Sequence, residues 1–244
     1  MKSPDGGSVE AYAACSCGRR YPLSLAARTK LLAHLSNDEN LARALSTIEA
    51  AAFDQQLLRD LWPADRISKL AMPGVVPVGT PVLHRPVEPV RLITRGLVKL
   101  GLHMTSVMHQ AQGIGLAANQ VGAPVRMCTH KLGAVAPTTL INPEILKSAG
   151  VWEYTEGCLS LSVDGAAAPV VRPKTLLIRA LTLDGRAFIA NADELFARVL
   201  QHEVDHLNGI EYVQRLTGLE RTRVYLVMNE HDIDHSWMPP APYG

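Results

Sequence analysis

Residues 192–207 carry the pattern that most limits what this chain can become. Leu195, Val199, His202 and His206 fall at i, i+4, i+7 and i+11, so one helix face begins apolar and ends in two imidazoles. Asn191 or Asp193 can cap the start, and Asn208-Gly209 ends it. A spacing of four lets both rings converge on one ion. Glu203 is rotated about 100° from His202 and can approach a water on that ion as a base rather than as a ligand. This is the H-E-x-x-H arrangement of zinc hydrolases. The plainer alternative, two hydrogen-bonded core histidines near a helix end, explains neither the caps nor the glutamate. Two imidazoles are still too few for a metal that does chemistry, so a third ligand is required.

Two other patterns imitate sites. His231 and His235 are again four apart, but no Glu follows the first and a polar tail ending in "SWMPPAPYG" surrounds them. A solvated tail is the expectation there. "GIGLAA", residues 113–118, fits G-x-G-x-x-A, yet a helix precedes it and no acid lies between Gln120 and Glu144. A dinucleotide site needs a strand before it and an acid about twenty residues on. Its glycines mean a tight loop with exposed backbone N–H groups, suited to gripping a substrate backbone.

Of the four cysteines, Cys15-x-Cys17 has no matching pair and Cys128 lies in a strand-like run. Cys158, in "TEGCLS", is flanked by Gly and a polar turn. A thiolate with two imidazoles would leave a tetrahedral position open for water. Spacing alone does not connect residue 158 to residue 202, and a structural buried thiol is the commoner case.

The rest of the chain frames these residues. A net charge of +1 gives no reason to expect nucleic acid as a partner, and no apolar run approaches a membrane span. Four sparse cysteines and no signal-like N-terminus point to the cytoplasm. Residues 1–20 read as a disordered lead and 24–62 as helical, with capping-box spacing at Ser36 and Glu39. "MPGVVPVGTPVLHRPVEPV", residues 72–90, is an extended connection into the main domain. A helix is predicted over about 90–110, and strands at "PVRMCTH", "TTLINPEI" and "KTLLIRALTL", the last followed by an Asp-Gly hairpin signal. Strands clustered between two helices make an α+β fold.

"GIGLAANQVG", "EGCLS" and "QHEVDH" occur in this order, and the ordered set resembles the three signature motifs of peptide deformylase. The resemblance covers about residues 75–218. It implies small antiparallel sheets around a central H-E-x-x-H helix, here with an N-terminal helical extension. The division is then 1–71 extension, 72–218 catalytic domain and 219–244 tail. The implied activity is removal of the formyl group from the N-terminal methionine of new polypeptides. The implied ligands of one divalent ion are Cys158, His202 and His206, with Fe2+ in the cell and Zn2+, Ni2+ or Co2+ as substitutes. Glu203 becomes the proton carrier. The Gln120 amide and Leu159 N–H become donors to the oxyanion. A peptide would lie as an added strand along Gly113, Ile114 and Gly115, bordered by Gly157, with its first side chain among Ile114, Leu195 and Val199. The ribosome is a possible partner. After "EGCLS" the family usually continues with a Val/Ile-Pro pair and an Arg-containing stretch beside the substrate. This chain has "LSVDGAAAPVVRP", with Ala166–Ala168 near that place, so one groove edge is altered. That change leaves room for another N-formyl or N-acyl substrate. A binding protein that no longer turns over is disfavoured, because binding alone would not need Glu203.

Overall fold

A computed structural model of the chain describes residues 12–14, 20–22, 74–132 and 138–238. The expected helices over 24–62, and Cys15 and Cys17, lie outside the described residues. β1 (Tyr12–Ala14), inside the stretch read as a disordered lead, pairs antiparallel with β2 (Arg20–Pro22), which begins at the last residue of that stretch.

The predicted first helix is α1 (Arg95–Gln110), which starts where the Thr94 hydroxyl accepts the Leu97 N–H. Leu97, Leu100, Met104 and Met108 form its buried stripe. Next come β3 (Gly115–Ala117), a single 3₁₀ turn over Ala118–Val121, β4 (Met127–His130) and β5 (Thr138–Ala149). Part of the predicted glycine loop is therefore strand. β6 (Trp152–Glu156) and β7 (Ala168–Arg172) form a separate hairpin. β8 (Thr175–Thr182) and β9 (Ala187–Asp193) are joined by the expected Asp184-Gly185 turn, in which the Gly185 N–H reaches the Thr182 carbonyl. The main sheet is antiparallel throughout, in the order β3-β4-β5-β8-β9.

The histidine helix is α2 (Glu194–Leu207). Asp193 occupies the N-cap position but its side chain makes no capping bond, and Asn191 belongs to β9, so neither residue caps as expected. The other end is as read. Asn208 is the C-cap, Gly209 sits at φ +75°, and its N–H bonds the His206 carbonyl. A Cβ on Gly209 would stand 2.7 Å from the Arg85 backbone, so the glycine also lets the chain pass. One face of α2 (Ala197, Leu200, Val204, Leu207) packs on the sheet through Ala117, Cys128, Leu140 and Ile178.

The tail expectation is corrected as far as residue 238. α3 (Gly218–Glu230) and the residues after it join a second core, where Val224, Met228, Ile233 and Met238 meet Cys158, Leu161 and Tyr212. The Trp237 indole stacks on His84 and the His235 ring on Tyr225. Burying apolar surface of this kind contributes about 25 cal/mol per Å².

Candidate metal centre and active site

α2 delivers His202 and His206 one turn apart, and the residues just after β6 deliver Cys158 to the same point. The Cys158 Sγ lies 3.3 Å from His206 Nε2, which lies 3.2 Å from His202 Nε2. All three ligand atoms fall within 4.8 Å of one another, and no other such group occurs among the described residues. Donors about 2.0–2.3 Å from one tetrahedral ion sit roughly 3.3–3.7 Å apart, so the spacing fits a single ion of that size.

Two buried carboxylates stand behind the histidines. Glu156 reaches His202 Nδ1 at 3.0 Å, and Glu211 lies 3.3 Å from His206 Nδ1. Each favours a proton on Nδ1 and so turns the Nε2 lone pair toward the cluster. Glu156 is itself gripped by Arg172 (2.7 and 3.0 Å) and Arg198 (2.7 Å), and Arg172 continues to Asp205. Burial raises the proton affinity of Glu156, but the His202 and Arg172 bonds outweigh it and hold the carboxyl well below its usual range. Burial disfavours a charged His202, yet bonds to Cys158 and Glu156 carry its pKa to about 10. Burial likewise opposes a Cys158 thiolate, and His206 beside it turns the net shift downward. The field of this cluster thus calls for positive charge between a thiolate and two rings, which is what a divalent ion supplies.

A cavity of about 530 Å³ opens on this cluster. Gly113, Ile114, Gly115, Gln120, Gly157, Cys158, Leu159, Leu195, Val199, His202 and Glu203, all predicted, line it. His206 is 1% exposed and stands behind them. β3 is an edge strand of the sheet, so its outer backbone groups are open to an added strand. A Cβ on Gly115 would collide with the Glu203 carboxylate, and one on Gly113 would stand 2.8 Å from Leu159 Cδ1. The glycines are therefore clearance for the groove and for Glu203. Glu203 is 3% exposed, one of its oxygens has no partner among the described residues, and burial pushes its pKa up, with His202 and His206 opposing. The Gln120 Oε1 accepts the Ala117 N–H at 2.9 Å, which fixes the amide so that its NH₂ faces Cys158 Sγ at 3.4 Å. The Leu159 N–H has no acceptor among the described residues.

Residues 72–222 match the polypeptide deformylase family, well over half of the chain. The chain belongs to that family. It is 40% identical over 160 residues to a peptide deformylase of Afipia carboxidovorans, covering 64% of this chain and 92% of that one. Its fold is similar to the crystal structure of a peptide deformylase from Legionella pneumophila, with a TM-score of 0.60 and 32% identity over 65% of this chain and 94% of the other. It is also similar to a deformylase from Synechococcus elongatus in complex with actinonin, with a TM-score of 0.63 and 33% identity over 71% and 94%.

Deformylases are metal-dependent, and the present Cys/His/His group fits that requirement. Sequence reasoning missed the support behind it: Glu156, Glu211, Arg172, Arg198 and Asp205. Two of these lay inside quoted motifs, Glu156 before Gly157 and Asp205 before His206. The available signal was an acid in a buried segment, which demands a partner.

Proposed function

We propose that this deformylase binds one divalent ion through Cys158, His202 and His206 and removes the formyl group from the N-terminal methionine of new polypeptides. The observation that carries the reading is the three-donor cluster on a cavity bordered by an edge strand, β3. When bound, the ion supplies a water acidified toward neutral pH and a Lewis acid for the formyl oxygen. Glu203 takes the proton of the attacking water and returns it to the departing amine; its burial makes it a stronger base than an exposed glutamate. The Gln120 amide and the Leu159 N–H donate to the oxyanion that forms at the formyl carbon, and each such donor is worth about a hundredfold or more in rate. The peptide pairs with the outer edge of β3, and its methionine enters the apolar wall of Ile114, Leu195 and Val199.

Fe2+ is the proposed ion in the cell, and the same donors accept Zn2+, Ni2+ or Co2+. The proposed setting is the cytoplasm, with nascent chains at the ribosome as the substrate supply. No helix among the described residues is long and apolar enough to cross a membrane. The test is a panel of formyl-Met peptides against other N-formyl and N-acyl amines, with metal content measured alongside. Hydrolysis of formyl-Met peptides above all others is expected; turnover of another acyl amine alone overturns the reading.

We further propose that residues 1–71 are dispensable for this chemistry, because every proposed ligand, base and donor lies beyond them. A chain starting at Met72 is expected to hold stoichiometric metal and to deformylate at a measurable rate. Metal-loaded but inactive protein would show that the extension shapes the groove.

A further inference from the structure

The metal ligands are backed by a turn that plays no part in the groove. A short 3₁₀ turn, Pro81–Leu83, ends at His84 and lies against the last turn of α2. Side-chain and backbone bonds fix it there. The Asn119 amide donates to the Val82 carbonyl at 3.4 Å and to the His206 carbonyl at 2.6 Å. The Val87 N–H bonds the Leu207 carbonyl at 2.9 Å. His84 therefore stands beside the end of α2 that carries His206, and it is not among the residues that line the cavity.

The His84 ring is held in one orientation. Its Nε2 accepts the Gly79 N–H at 3.0 Å, and the Trp237 indole stacks on its face at 4.0 Å. Trp237 is itself fixed: its Nε1–H bonds the Asp234 carbonyl at 2.7 Å, and the adjoining Met238 is buried in the second core. An Nε2 that accepts leaves the proton of the neutral ring on Nδ1. Burial favours that neutral ring; the Glu211 and Asp234 charges pull the other way, and His206 adds to burial. The Nδ1–H is thus a donor, and it is buried with no partner among the described residues.

Glu211 has the opposite deficit. It is 0% exposed, it approaches His206 Nδ1 at 3.3 Å, and neither of its oxygens completes a hydrogen bond among the described residues. The carboxylate and the two rings lie within electrostatic reach of one another. A buried donor without an acceptor and a buried carboxylate without donors each cost free energy. Both costs are removed where the two meet, directly or through one water.

We propose, on the ligand assignment given above, that His84 clamped by Trp237 is a positioning residue of the metal centre: its Nδ1–H holds the Glu211 carboxylate, and that carboxylate holds the His206 ring on the ion. Trp237 belongs to the segment after α3, so that segment takes part in retaining the metal.

The test uses the full-length chain loaded with Co2+. Titration against a competing chelator gives the affinity, and the visible absorption of the bound ion reports how its ligands are arranged. His84→Phe keeps a ring under Trp237 and removes the Nδ1–H. It is expected to weaken Co2+ binding by about 10- to 100-fold, as for other partners one bond behind a ligand, and to shift the visible bands. Trp237→Ala leaves the donor but frees the ring, and should weaken binding by less. Trp237→Phe restores a stacking face and should return the affinity and the bands of the unaltered chain. The double variant His84→Phe with Trp237→Ala should bind no more weakly than His84→Phe alone, because Trp237 acts through His84. Unchanged affinity and bands in folded His84→Phe, or losses that add in the double variant, overturn the proposal and leave the ligand assignment standing. Where His84→Phe does not fold, equal affinities in Trp237→Ala and Trp237→Phe overturn it. An unaltered chain that takes up no stoichiometric Co2+ overturns both.

Discussion

Glu203→Gln is expected to keep its metal and lose about a hundred- to ten-thousandfold in turnover, the usual contribution of a positioned acid-base group. The side chain is not among the three clustered donors, so removing its charge leaves the ion's ligands in place. Gln preserves the shape that Gly115 accommodates, and the only function lost is taking up a proton. The sign of the pH dependence follows from burial, which raises the Glu203 pKa. The active base form disappears as pH falls through that pKa, so kcat/KM in the unaltered enzyme should drop on the acid side. In the Gln variant the residual rate should lack that limb. Metal analysis beside hydrolysis of a formylated peptide makes the check. A metal-replete variant with near-normal turnover would mean that another group moves the proton.

What could be read without coordinates follows from how local each signal is. α2 was legible because its period, its Asn208-Gly209 stop and its chemistry all lie within sixteen residues. Cys158 was legible as a candidate ligand only through the ordered motifs, because the chain around the β6–β7 hairpin brings it back to a helix 44 residues later. Glu156 and Glu211 escaped notice because a carboxylate's role depends on which ring nitrogen it faces, and spacing does not give that. β7 escaped for a different reason. Its inward residues are Ala168, Val170 and Arg172, so the alternation that marks a strand is broken by a buried arginine that belongs to the Glu156 network. α3 was missed because its apolar residues run round the helix, with Val224 and Met228 buried while Leu219 and Leu226 face solvent. No single stripe announces it, and only the Tyr212 and Leu161 surfaces decide which residues go inside.

His206→Ala is expected to abolish metal retention, and with it all hydrolysis of formylated peptides. His206 is the donor common to both short edges of the cluster, 3.3 Å from the Cys158 sulfur and 3.2 Å from His202. Without it a thiolate and one imidazole remain, too few protein donors to hold a tetrahedral ion with a position left open for chemistry. The substitution also strips Glu211 of the ring beside it. Leaving a buried carboxylate without its ring partner costs about 1–3 kcal/mol or more, so the variant should be less stable as well as metal-free. Cys158→Ser separates the two effects, since it removes the soft ligand and leaves the His206–Glu211 pair in place. It should lose metal with a smaller fall in stability. In the unaltered protein a chelator should lower Tm, because an ion that binds the folded chain a hundredfold above its Kd adds about 2.7 kcal/mol. In His206→Ala the chelator should change nothing, there being no ion to remove. Stoichiometric metal in folded His206→Ala protein would place the ion elsewhere and undo the ligand assignment, and with it the roles given to Glu156 and Glu211.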